Sequence, residues 1–218
     1  HQITSGEGGM VVCHNKEDYE LLVALRSHGW SRSNNKNEYK KIAKKYPKLD
    51  PRYIFINQGF NLRPTDVQAA MGLNQFERLN KFIKIRTNNR NKIIESLKKD
   101  PRWKNQYRFI QVPKNIKPSF MGLPIFLNES MTKEIKMKLL FFLESEGVET
   151  RPILTGNFLN QPSIKLFGLN NKKLKFKGAQ SIEDLGFLIG LHTKKINQKQ
   201  LNLIKNSFFF IDSLSKNL

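Results

Sequence analysis

The chain has 218 residues, 39% hydrophobic and 11% aromatic, with 38 Lys and Arg against 18 Asp and Glu for a net charge of +20. That length buries one good core or two small ones, and no run approaches the ~20 apolar residues that span a bilayer, so a folded, cytoplasmic protein with no membrane-spanning segment is expected. Cys13 is the only cysteine, which excludes an internal disulfide and a cysteine-held zinc or iron–sulfur centre within this chain.

In chain order, Met10-Val11-Val12-Cys13 reads as a short buried strand, with a turn at His14-Asn15. Residues 16–27 follow as a helix, because Tyr19, Leu22 and Val23 recur at i, i+3 and i+4 with Leu25 close to the same face, and Gly29 ends it. Residues 31–50 are polar and lysine-rich, bounded by Pro47 and Pro51, and have the composition of a long surface excursion. Thr65 and Gln68 have capping-box spacing at the start of a helix whose apolar face is Val67, Ala70, Met71, Phe76 and Leu79. Around residues 80–84 the pattern changes phase, so a second, strongly charged helix is expected to run to about Lys99 and stop before Pro101.

Beyond residue 101, strands and helices alternate. Residues 107–112 and 120–127 are strand candidates about a proline-containing turn. Thr132 can cap a helix with Ile135, Leu139 and Phe142 on its apolar face, ended by Gly147, and residues 148–153 return as a strand. Ser181 with Asp184, and Asn197 with Gln200, mark two further helix starts; Leu201, Ile204, Phe208 and Ile211 form the stripe of the last.

The excess of positive charge favours an anionic partner. The lysines, however, are scattered among asparagines with no aromatic–basic stripe, which reads as solvated faces rather than nucleic-acid binding. A diphosphate-bearing small molecule also fits, and neither a nucleic-acid nor a membrane partner is expected.

Taken residue by residue, the segments that could carry chemistry have plain readings as well. Gly6-Glu7-Gly8-Gly9 alone is a turn. Asn61 and Arg63 precede a helix start, where free backbone donors and a guanidinium suit a phosphate, or where Arg63 is simply solvated. Arg151 offers a planar fork of donors for a phosphate or sugar oxygen, and Asn157 an adaptable donor and acceptor; the alternatives are an ion pair and a turn at Thr155-Gly156-Asn157. His192 is a lone histidine in an apolar context, more often structural than functional, and Trp30 reads as a packing residue.

The run His1-Gln2-Ile3-Thr4-Ser5-Gly6-Glu7-Gly8-Gly9-Met10-Val11-Val12 closely resembles the cofactor-lysine segment of the DegT/DnrJ/EryC1/StrS sugar aminotransferases, Lys-x-Ile/Leu-Thr-x-x-Glu-Gly-Gly. The resemblance continues through Leu25-Arg26-Ser27-His28-Gly29-Trp30-Ser31-Arg32 and through residues 59–72, and covers essentially the whole chain. It implies an α/β chain that is the C-terminal portion of an aspartate-aminotransferase-like, fold type I enzyme using pyridoxal or pyridoxamine phosphate. Residues 1–80 would then be the remainder of the large cofactor-binding domain, 81–100 a helical connector and 101–218 the small domain. The chain opens in mid-motif without a methionine, so it is expected to be a piece of a longer protein, inactive alone.

His1 stands where the family's Schiff-base lysine would be. One branch of the family carries histidine there, the nucleotide-sugar 3-dehydratases that remove the C3 hydroxyl of a 4-keto-6-deoxyhexose. The segment Arg151-Pro152-Ile153-Leu154-Thr155-Gly156-Asn157 is similar to that branch's Arg-Pro-Ile-x-Thr-Gly-Asn. The resemblance thus implies His1 as the catalytic base, Asn61 and Arg63 as cofactor-phosphate contacts, and Arg151, Thr155, Asn157 and His192 as substrate contacts. It also implies a nucleotide-linked sugar substrate, an amino donor such as glutamate, a homodimer, and a role in deoxysugar and lipopolysaccharide synthesis. Residues 31–50 hold no cysteine, unlike the iron–sulfur members of that branch, so no such cluster is expected. The alternatives are a pyridoxal-phosphate sugar aminotransferase, which would need lysine at position 1, and an inactive chain serving as an interaction domain.

Overall fold

The computed structural model of the chain describes residues 2–31, 36–168 and 175–214. They divide into two compact units, one comprising Ile3–Glu77 and the other the rest of the described residues.

In the first unit, α1 (Lys16–Arg26) starts where Asn15 accepts from the Asp18 backbone N–H, with Glu17 and Asp18 in the first turn complementing the helix dipole. Beyond it the chain reverses through His28 and Gly29, both at positive φ, and zips against residues 54–62. The Leu25 and Arg26 carbonyls accept from the Phe60 and Leu62 N–H groups, the His28 N–H donates to Phe60, and the Ser31 N–H donates to Ile54. Gly29 and Gly59 make this close approach possible: a Cβ on Gly29 would sit 1.9 Å from the Asn57 carbonyl oxygen, and one on Gly59 2.1 Å from the Gly29 nitrogen.

Two expectations fail in this unit. Residues 10–13 form no strand, and Met10, Val11 and Val12 are exposed at 90%, 72% and 83%; a strand needs a neighbour to take up its backbone bonds, and no described segment of the unit supplies one. The polar segment from Ser31 to Asp50 is not a plain loop, because it contains a helix, α2 (Lys36–Lys45). Its lysines and alanine are strong helix formers, and all of its residues are exposed or half-buried.

The capping box at Thr65 forms: the Thr65 N–H donates to the Gln68 side chain at 2.9 Å and the Gln68 N–H to the Thr65 hydroxyl at 3.3 Å. It opens a single helix, α3 (Asp66–Lys98), rather than two. A change of hydrophobic phase moves the apolar face without breaking a backbone bond, and only proline or a competing cap would do that. The change of unit, between Glu77 and Arg78, falls inside this helix.

The second unit is built on a four-stranded antiparallel sheet of order β1-β2-β4-β3, with β1 Tyr107–Phe109, β2 Gly122–Leu127, β3 Thr150–Arg151 and β4 Gly186–Gly190. Leu123, Ile125 and Leu127 alternate into the core from β2, and Phe187 and Ile189 from β4. Ile93 and Leu97 of α3 join them, together with Ile135, Leu139 and Leu143 of α4 (Lys133–Ser145) and Phe208 of α6 (Gln198–Phe208). Thr132 caps α4, Gly147 follows its end at φ +82°, and Asn197 with Gln200 completes the capping box of α6. The stripe of α6 is interrupted: the chain turns at Phe209–Phe210, and Ile211 begins a separate short helix, α7 (Ile211–Leu214).

Here the sequence reading erred at Ser181, which lies inside α5 (Lys177–Leu185) rather than at its start. It also passed over β4, which bonds to both β2 and β3. Among the described residues no helix is long and apolar enough to cross a membrane.

Candidate active site

His1 lies outside the described residues. Its neighbour Gln2 is tied down at both ends of its amide: Nε2 donates to the Ser119 carbonyl at 3.1 Å, and Oε1 accepts from Arg86 Nη1. Arg86 also donates through Nε to the Leu191 carbonyl at 3.1 Å. One turn on along α3, buried Asn89 donates to the His192 and Lys194 carbonyls at 3.1 and 2.8 Å and accepts from the Ile196 N–H at 3.0 Å. His192 sits in the turn these bonds fix, just past the end of β4. Its ring is exposed, and Nδ1 accepts from the Lys194 N–H at 2.9 Å, so in the neutral ring Nε2 carries the hydrogen and is the atom left to donate.

The segment Arg151-to-Asn157 departs from the opposite end of β4. Thr150 pairs with Ile189 and Arg151 with Leu188, so β3 runs away from His192 as it enters the turn. Arg151 is exposed, and its guanidinium forks onto Glu149 at 2.9 and 3.1 Å. An ion pair so open to water is worth little and is readily exchanged. Thr155 is exposed between Leu154, a non-glycine residue at φ +48°, and Gly156 at φ +63°.

Asn157 behaves differently. It is buried, its amide donates to Gln180 Oε1 at 2.9 Å, and its carbonyl oxygen accepts from the Leu159 N–H at 3.2 Å. Both polar ends are thus engaged within the unit. The Asn157 N–H and the Asn160 amide donate to the Glu183 carboxylate, and these bonds hold its pKa below the usual carboxylate range. Asn157 therefore anchors the turn to α5 and leaves Arg151 and Thr155 as the members presented to solvent.

In the first unit, Asn61 and Arg63 are adjacent and exposed. Asn61 bridges to Ser27 across the zipped segments, and Arg63 Nε donates to Asn61 Oδ1 at 3.4 Å. The guanidinium lies 5.8 Å from the centre of the Trp30 ring, which in turn meets His28 at 5.2 Å and Phe55 at 5.8 Å. Trp30, read from sequence as packing, is also the platform on which Arg63 rests. An arginine with one long side-chain bond and an aromatic backing has most of its donor fork open to a phosphate.

Sequence reasoning missed Arg86, Asn89, Gln180 and Glu183. The first two carried a signal: they fall in register with Ile93 and Leu97, and a polar residue on an apolar stripe marks a buried bond. Gln180 and Glu183 carried none, because their partners are distant in the chain.

The model of the DegT/DnrJ/EryC1/StrS aminotransferase family matches residues 1–206. The chain is 28% identical over 192 residues to the GDP-4-keto-6-deoxy-D-mannose 3-dehydratase of Escherichia coli O55:H7, covering 88% of this chain and 48% of that one. It is 29% identical over 206 residues to the Yersinia pseudotuberculosis enzyme of the same name, covering 93% and 50%. The solved E. coli dehydratase with bound hydrated pyridoxal phosphate superposes with a TM-score of 0.77 at 26% identity, over 95% of this chain and 51% of that one. The chain thus spans about half the length of the relatives it matches. Its fold is the α/β, fold type I architecture of these enzymes, and the chain belongs to the DegT/DnrJ/EryC1/StrS aminotransferase family.

Proposed function

We propose that the chain is the histidine-bearing half of a pyridoxamine-phosphate-dependent 3-dehydratase acting on a GDP-linked 4-keto-6-deoxyhexose in deoxysugar and lipopolysaccharide synthesis. The observation that carries this reading is His1, in register with Ile3, Thr4, Glu7, Gly8 and Gly9 where the family has lysine. The two dehydratase relatives support it, and their substrate is the reason for choosing GDP over other nucleotides. The reading includes a domain division: residues 1–80 belong to the large domain, 81–100 to a connector and 101–218 to the small domain. The working form is a homodimer in the cytoplasm.

Pyridoxamine phosphate, when bound, would supply the amine that engages the C4 ketone and a ring that takes up the electron pair left by proton removal and delivers it to expel the C3 hydroxyl. The protein's part is to bind and to move protons. Arg63 and Asn61 fit the phosphate by the chemistry of their donors, the guanidinium being held against Trp30 with its fork open. His1, whose imidazole can take up and release a proton, would remove one from the cofactor's methylene carbon and return it to the departing hydroxyl. An imidazole cannot recapture the cofactor covalently as a lysine would, which keeps the amine free for the sugar. Arg151 and Thr155 take sugar or phosphate oxygens, His192 donates from Nε2, and Asn157 holds the turn that presents the first two. An amino donor such as glutamate would restore the cofactor's amine, leaving as its 2-oxo acid.

The experiment is His1→Lys, made in the chain supplied with the half that the E. coli relative has and this chain does not span. Dehydration should be abolished and a lysine-bound cofactor should appear as visible absorption on addition of pyridoxal phosphate. Dehydration at the parental rate by the variant would remove His1 from the mechanism.

A further inference from the structure

The chain neighbours of two histidines far apart in the sequence meet the same arginine. His1 precedes Gln2, and His192 follows Leu191. The Arg86 guanidinium donates through Nη1 to Gln2 Oε1 and through Nε to the Leu191 carbonyl at 3.1 Å. The tie is doubled on its far side, where Gln2 Nε2 donates to the Ser119 carbonyl and the Leu191 N–H to the Met121 carbonyl, each at 3.1 Å. Arg86, Gln2, residues 119–121 and Leu191 thus close a ring of hydrogen bonds. All of its members belong to one compact unit, although Ile3, the residue after Gln2, belongs to the other.

Arginine suits this place and lysine does not. Nε and Nη1 lie in one rigid plane, so the guanidinium fixes its two acceptors relative to each other, whereas an ammonium on a four-carbon stem is a single mobile point. The bond to Gln2 is charge-assisted, and both bonds are partly buried, where water competes less. The support beneath His192 is stiff as well. Buried Asn89, one turn along α3, closes residues 192–196 with three bonds, and the Lys194 N–H holds His192 Nδ1. Nε2 is then the ring nitrogen left to act.

We propose that Arg86 is a positioning residue for the reaction: it sets the residue next to His1 against the turn that carries His192, so that the two imidazoles serve one sugar. This role rests on the dehydratase reading of both histidines, and Arg86 acts only through their neighbours.

The test has two arms. In the 218-residue chain labelled with heavy nitrogen, at ~pH 8 where an ordinary imidazole is neutral, nuclear magnetic resonance should show His192 as a single tautomer protonated at Nε2, and the Gln2 amide protons close to Ser119. Arg86→Lys should abolish the Gln2–Ser119 contact and speed exchange of the Lys194 amide about tenfold, the effect of losing one hydrogen bond. Gln2→Ala removes one limb only and should leave the His192 signals as they were.

In the second arm, the chain is supplied with the half that the E. coli relative has and this chain does not span. Arg86→Lys should lower kcat for 3-deoxygenation about tenfold to a hundredfold, with KM for the GDP-linked sugar within about twofold, because Arg151 and Thr155 are untouched. Gln2→Ala should lower kcat in the same sense and add little when combined with Arg86→Lys, since the two side chains act as a unit. A parent that dehydrates while both variants keep its kcat overturns the proposal and leaves the dehydratase reading standing. A Gln2–Ser119 contact that survives Arg86→Lys overturns it too, as does a rise in KM matching the fall in kcat, since the whole site would then have been disturbed. A parent that forms no 3-deoxy sugar sinks the reading itself, and with it any role for Arg86 in that reaction.

Discussion

Glu183 gathers the Thr155-Gly156-Asn157 turn onto α5, and the geometry explains two of the three residues. A Cβ on Gly156 would lie 2.6 Å from the Glu183 Cβ and 2.9 Å from its Cα, at a backbone φ of +63° that L side chains avoid. Gly156→Ala is therefore expected to cost about 2–4 kcal/mol in chemical denaturation, and it should impair Arg151 and Thr155 only through displacement of the turn. The residue types here were legible in the sequence, whereas the division of labour was not. Asn157 reads as a ligand-binding amide until its partners, Gln180 and Leu159, are in view.

Asp100 is a second residue whose role depends on distant partners. It accepts from Arg102 Nε at 2.8 Å and lies 3.3 Å from Lys205, and these cations hold its pKa well below the usual carboxylate range. A carboxyl depressed in the folded state contributes stability above its unfolded value, near pH 4, and loses it as pH falls towards the folded value. The denaturation midpoint should drop on acidification below about pH 4. Asp100→Asn should lower the midpoint at pH 7 and flatten that dependence; an unchanged acid slope would show that other carboxylates dominate.

Elements whose signals are local were the ones the sequence could disclose. The caps at Thr65, Thr132 and Asn197 each rest on residues within one turn, and each helix begins where its cap stands. Elements defined by pairing were harder: β4 is a three-residue apolar run, Phe187 to Ile189, between two glycines, which reads equally as the end of a helix until β2 and β3 flank it. The α2 helix was masked by its lysines and by the prolines that follow. Within α3, Gly72 offers an element-scale test. A Cβ there would meet only the Ser5 side chain at 3.7 Å, an ordinary contact. Gly72→Ala should thus raise stability by about 0.5–1 kcal/mol through helix propensity, measured by thermal or urea unfolding.

At the scale of the molecule, the two units differ in how much they bury. The second closes a continuous core over β2, β4, α4 and α6, whereas the first has Ala24 and Ile54 as its buried hydrophobic residues and leaves Met10, Val11, Val12, Phe60 and Leu62 exposed. Local stability follows buried apolar contact. Amide exchange should therefore be slow over Gly122–Leu127 and Gly186–Gly190 and fast over most of Ile3–Glu77; uniform protection of both units would contradict this account.

Product identity separates dehydration of the sugar from its amination. The chain, with the half of the E. coli relative it does not span, is incubated with pyridoxamine phosphate, glutamate and GDP-4-keto-6-deoxymannose, and the sugar nucleotide is analysed by mass spectrometry. The product is expected to have lost the C3 hydroxyl. A sugar nucleotide that keeps that hydroxyl and gains an amine at C4 would make the chain part of an aminotransferase instead.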